Sequence, residues 1–234
     1  MKLKIIFILL FLFSLSLFSE EKKGKIVIDV KTGANYEFDY QWGIIKLKVI
    51  PQMAIWLEDE NGNYIETIYV TQRTAKANWF GGKNIKRPSS LPIWSHKRGV
   101  KYSDGLYTPD NKNPLPDSQT GATAKSDFTK VWNIPTNISN GVYIIKIEVN
   151  SAFDFNEFYQ EKLSNSNRFY NDLNGQPSIL WEGKLEIDKK ENQTDLNIVA
   201  HGEVLGKNGD IETDLTNITT AKILLRSVRV KFLK

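Results

Sequence analysis

The chain has 234 residues, with 31 Lys and Arg against 27 Asp and Glu, and no cysteine. The missing thiols exclude disulfides, thiolate catalysis, Cys-ligated iron–sulfur or zinc sites and thioether-attached haem, and two histidines, His96 and His201, are too few for a multi-histidine metal centre. The net charge of +4 becomes about +2 without Lys2 and Lys4 (29 basic against 27 acidic), which is near neutral and points to no class of partner.

Residues 1–19 read as a signal peptide. Lys2 and Lys4 form a basic start, residues 5–12 an apolar run, and Leu17-Phe18-Ser19 a processing site ahead of Glu20 and Glu21. The apolar run is short for a membrane span, Ser14 and Ser16 weaken it further, and no Cys follows it for lipid attachment. The expectation is therefore a cleaved, periplasmic or secreted protein with no stable membrane span and no nucleic-acid partner. The remaining residues, 20–234, are expected to form a single β-sandwich domain, large enough to bury its own core.

Strand signals follow in chain order. Residues 25–30 alternate apolar and polar, and 53–57 place Met53, Ile55 and Leu57 on one face. Asn61-Gly62 then turns the chain into Tyr64–Thr71, a strong hairpin signature. Next comes a stretch, 78–123, that is rich in Pro, Gly, Asn and Ser and almost without periodicity. Compact domains seldom keep so long a connection without a use for it. Between Gln72 and Lys112 the basic residues Arg73, Lys76, Lys83, Lys86, Arg87, Lys97, Arg98, Lys101 and Lys112 face only Asp104 and Asp110, so this segment carries +7 and the rest of the mature chain about −5. It either meets an anionic ligand (phosphate, carboxylate or lipid headgroup) or is a solvated loop. Trp94 is read as a ring that covers a ligand or pins the loop, and His96 as a solvated side chain.

The stretch ends in Asp117-Ser118-Gln119-Thr120-Gly121-Ala122-Thr123. Small neighbours, Gly121 and Ala122, let an enzyme close around the Thr123 hydroxyl, a nucleophile for a phosphoryl group. The same residue types also build an ordinary polar turn. Beyond it, residues 141–150 are apolar enough for a strand buried on both faces, and 178–188, 195–203 and 222–233 complete the strand set. Residues 156–163 are a short helix candidate, read as a connection. The fold class expected is all-β, an antiparallel immunoglobulin-like β-sandwich with one long irregular loop. No Gly-x-Ser-x-Gly or His-Glu-x-x-His string is present, so the chain is read as non-enzymatic, with no catalytic and no metal-binding residues assigned.

The Asp-x-x-Thr-Gly-Ala-Thr string resembles the acceptor sequence of bacterial flavin transferases, which implies covalent FMN on Thr123, with Asp117, Thr120, Gly121 and Ala122 as recognition residues. Trp94 and Arg98 would then cover the ring and neutralise the phosphate. Together with 54–70 and the Val131-Trp132-Asn133 … Gly141-Val142-Tyr143 pattern, the string is similar to an uncharacterised family of predicted periplasmic bacterial proteins. Genes of that family often lie near flavin transferases and membrane-bound redox proteins. The third segment also resembles immunoglobulin-like modules of flagellar hook-cap proteins, although Asn133 stands where that pattern has Asp. The resemblance implies a periplasmic accessory of a flavin-linked redox system, with a flavin transferase and a membrane redox protein as partners. The alternative left open is an immunoglobulin-like binding or structural module of the cell envelope.

Overall fold

A computed structural model describes residues 23–79, 81–188 and 190–234. The signal-peptide expectation for 1–19 lies outside the described residues. In chain order the elements are β1 (Lys25–Thr32), β2 (Phe38–Trp42), β3 (Ile45–Val49), β4 (Gln52–Asp59), β5 (Tyr64–Thr71), α1 (Gln72–Ala75), β6 (Asn78–Trp79), β7 (Gly82–Lys83), α2 (Pro92–Lys97) and β8 (Thr120–Gly121). They continue as β9 (Phe128–Asn133), β10 (Gly141–Asn150), β11 (Ile179–Ile187), β12 (Asn192–Gly202), β13 (Ile211–Glu212), a 3-10 turn (Thr220–Ile223) and β14 (Leu225–Leu233).

The all-β expectation holds. The strands form one large curled sheet in the order β8-β5-β4-β10-β11-β12-β14-β1-β9, with β13 beside β12. The bend falls in β12: residues 192–196 pair with β14 and residues 197–201 with β11. Every pair in this sheet is antiparallel except β5–β8, which makes the sheet mixed. Its far edges come back toward each other, with the Tyr69 and Phe128 rings 6.1 Å apart and Lys130 over Tyr69 at 5.7 Å. The concave side holds one apolar core to which most strands of the sheet contribute, from Ile26, Ile28 and Val30 through Ile55 and Ile147 to Val230 and Phe232. Alternation puts these residues inward, because successive side chains of a strand point to opposite faces.

β10 is the central strand of one half, between β4 and β11, and is buried on both faces as its sequence predicts. Its inward row is Tyr143, Ile145, Ile147 and Val149, all in the main core. Its outward row includes Lys146, Glu148 and Asn150, polar yet buried. Something must cover them, and the 78–123 stretch does. It lays α2 over the convex face, where Leu91, Ile93, Trp94 and Leu115 pack with Ala54, Trp56, Val70 and Leu180 in a second core. The stretch is thus irregular, as expected, but it carries α2 and three two-residue strands, and it forms a packed layer.

The β4–β5 turn forms at Asn61-Gly62 as predicted. Gly62 takes φ +80°, and Asp59 Oδ1 accepts the backbone N–H of both Asn61 and Asn63. The 156–163 segment forms no helix: the Asn156 side chain accepts the Phe158 and Tyr159 amides in a local turn that stops helical winding.

Candidate functional site

The Asp117–Thr123 string forms a turn followed by an edge strand. Gln119 N–H bonds to Pro116 O and Thr120 N–H to Asp117 O, after which β8 runs parallel to β5 with Val70 opposite Thr120 and Thr71 opposite Gly121. Three further bonds fix it: Gln119 O accepts from Val70 N–H, Ala122 O from the Tyr69 hydroxyl and Ala124 O from the Tyr36 hydroxyl. Gly121 is required by packing, since a Cβ there would lie 2.7 Å from Tyr69 Cε2. Burial raises the Tyr69 hydroxyl to about 12 and holds Tyr36 up as well, so both stay protonated donors. Thr120 and Thr123 are half-buried, Ala122 and Asp117 exposed, and the Asp117 carboxylate lies 3.5 Å from the Lys76 ammonium. Among the described residues the Thr123 hydroxyl makes no hydrogen bond.

Trp94 and Arg98 lie elsewhere, on the convex face. Trp94 is 0% exposed and gives its indole N–H to Thr67 Oγ1 at 2.9 Å, so the ring pins α2 to β5 and offers no open face to a flavin. Arg98 stacks over Trp94 at 5.1 Å and reaches the Tyr102 hydroxyl at 3.5 Å. His96 is half-buried rather than freely solvated: its Nδ1 lies 2.9 Å from Pro92 O, and its ring packs on Tyr107, 4.3 Å between centroids. Beneath α2 a charged network crosses the sheet. Glu148 accepts the Ile93 and Trp94 amides and the Ser178 hydroxyl, and burial pushes its carboxyl up to about 7. Lys146 bridges Glu58 and Glu182 at 3.2 Å each, and Glu58 accepts the Trp56 indole N–H. Glu148, through the Ile93 and Trp94 amides, and Glu58, through Lys97, each tie α2 to the sheet.

The basic residues scatter. Lys86 pairs with Asp104 and Asp110, and Lys97 with Glu58. Arg73 and Arg87 make no salt bridge among the described residues, and both line a cavity of about 390 Å³. The cavity opens between the β2–β3 hairpin and the end of the sheet where β4 begins and β10 ends. Apolar side chains (Trp42, Leu47, Phe153 and Leu173 among them) line it together with the polar Gln52, Ser90, Asn150 and Asn174, and with Lys46 and Lys48, which pair with Asp39 and Glu37. Arg87 lies over the Trp79 ring at 4.4 Å, and burial together with neighbouring Arg73 lowers its proton affinity, while Asp172 offsets part of this. Phe153, whose φ is +59°, stacks flat on Tyr40 at 4.2 Å. A bulky side chain with φ in this region is strained and is held there by its surroundings. By strand register Thr123 leaves β8 toward this same end of the sheet, but it does not line the cavity.

Sequence reasoning marked Arg73 and Arg87 within the basic run and passed over the hairpin. Its signal was present, with Phe38, Tyr40 and Trp42, then Ile45, Leu47 and Val49, alternating with polar residues around Gly43. A second, more open groove of about 570 Å³ is lined by charges that neutralise one another, including Arg229 with Asp195 and Lys231 with Asp29. Among the described residues no group of three His, Asp or Glu could hold a metal ion, and no helix is long and apolar enough to cross a membrane. No family model, curated protein or solved structure matches the chain.

Proposed function

We propose that this is a non-enzymatic, exported accessory of a flavin-linked redox system that carries FMN on Thr123. The observation that supports it most directly is the half-buried Thr123 hydroxyl, without a hydrogen-bond partner among the described residues, just beyond an edge strand. In the transfer, Thr123 Oγ1 attacks the FMN-side phosphorus of FAD. The new O–P bond replaces the pyrophosphate bond, AMP leaves, and the hydroxyl proton passes to the departing phosphate or to solvent. A flavin transferase supplies this chemistry, and a membrane redox protein would exchange electrons with the attached flavin. Periplasmic placement belongs to the same proposal. So does the finer reading of the fold as an immunoglobulin-like sandwich, which draws support from the two halves of the sheet sharing one core.

The test is coexpression with a flavin transferase in the presence of FAD and magnesium. The expected result is a mass increase of one FMN moiety and in-gel flavin fluorescence, both lost in Thr123→Ala and both kept in Thr120→Ala. An unmodified mass, under conditions that label a known acceptor protein, would discard covalent flavin. A second reading, an envelope binding module, is favoured by the cavity beside the β2–β3 hairpin.

A further inference from the structure

The cavity combines features that a purely structural crevice does not need. Aliphatic and aromatic side chains line it beside charged and polar ones, its volume falls in the range of small-ligand sites, and its two guanidinium groups, Arg73 and Arg87, make no salt bridge among the described residues. Arg73 and Arg87 face one mouth, Arg87 half-buried against the Trp79 ring; Asp172 offsets part of the charge on Arg87, and the remainder is available to an anion. The strained backbone of Phe153 builds the opposite wall. Its N–H bonds to Leu173 O at 2.7 Å, and its ring, stacked on Tyr40, joins the hairpin to the body.

From these features we infer that the cavity binds a small amphipathic anion, an alkyl or acyl chain ending in a phosphate or carboxylate. The chain would lie between Trp42, Leu47, Phe153 and Leu173, and the anionic end between Arg73 and Arg87. Guanidinium suits both head groups because its planar N–H fork matches their oxygens. This inference rests on the binding-module reading and not on whether Thr123 carries flavin.

Titration calorimetry with dodecyl phosphate, dodecanoate, neutral dodecyl maltoside and FMN, each below any micelle concentration, tests it. The expected result is saturable binding of the two anionic dodecyl compounds, one per chain, which weakens as salt is added. Arg87→Gln should weaken it about tenfold or more, the usual effect of removing a charged hydrogen-bond partner. Arg73→Gln, on an exposed residue of α1, should do the same without touching the Trp79 stack, so a misfolded Arg87 variant does not decide the matter. Trp42→Ala should weaken all chain ligands together. Binding of the phosphate but not the carboxylate, or the reverse, identifies the head group. Equal binding of the maltoside, unaffected by either Arg variant, would overturn the anion assignment while leaving a binding module. FMN displacing the dodecyl compounds with higher affinity would give the cavity to flavin. Absence of binding by all four would remove the site.

Discussion

At the scale of single residues, two positions carry consequences that can be measured without knowing a ligand. Gly121 sits where a methyl group would strike the Tyr69 ring, so Gly121→Ala should cost about 1–3 kcal/mol, the range for forcing extra atoms into a packed site. Chemical denaturation would show it, and an unchanged midpoint would mean that the ring moves freely. The sequence identified Gly121 as a small neighbour of a nucleophile, and contact with Tyr69, some fifty residues earlier, was beyond its reach. Glu148 sets a pH dependence. Its carboxyl is held at about 7 in the folded chain against an ordinary 4.5, with burial as the main cause. The folded state therefore keeps a proton that the unfolded state loses. The stabilisation is complete below about pH 4.5 and disappears as pH rises through 7. Relative to Glu148→Gln, the native protein should lose on the order of 3 kcal/mol across that window. Parallel stability curves for the two proteins between pH 4 and 8 would contradict it.

At the scale of elements, the strands announced by alternation or by a long apolar run are where they were expected, and Tyr64–Thr71 and Gly141–Asn150 agree to the residue. β9 and the β2–β3 hairpin escaped notice because each is short and half-exposed, so its pattern mixes with turn residues. The outward polar row of β10 could not be assigned a cover either, since α2, which covers it, is a six-residue piece inside an aperiodic stretch. The β2–β3 hairpin stands outside the main sheet. It forms its own two-stranded sheet, and Tyr40 supplies most of its ring contacts with the body, stacking on Phe153, tilting against Phe155 and giving its hydroxyl to Glu161 at 2.8 Å, with Trp42 tilted against Phe153. Its tip presents Ile44 fully exposed, with Trp42 and Ile45 about half so. Tyr40→Ala should therefore release the hairpin alone. Limited proteolysis should cut faster near Gly43, with the thermal midpoint of the body shifted by no more than a few degrees. A large fall in that midpoint would show that the hairpin is part of the cooperative core.

At the scale of the whole molecule, the sheet is joined by partners far apart in the chain. β14 lies between β12 and β1, pairing Ile28 with Val230 on one side and Leu196 with Val228 on the other. Its Val228, Val230 and Phe232 are completely buried in the shared core. Sequence patterning could mark β14 as a strand with one apolar face. It could not place that face beside β1, because pairing order depends on chain crossings that no local period encodes. The two halves of the sheet meet in β12 and enclose one core, so neither half retains a complete apolar interior without the other. Removal of residues 225–234 would expose the inner faces of β1 and β12 together and leave both with unpaired backbone edges. The expected outcome is loss of any cooperative thermal transition and of near-ultraviolet circular dichroism, rather than survival of the β4–β5–β10–β11 half. A retained transition of reduced enthalpy would show instead that this half folds alone, and that the bend in β12 divides two independent units.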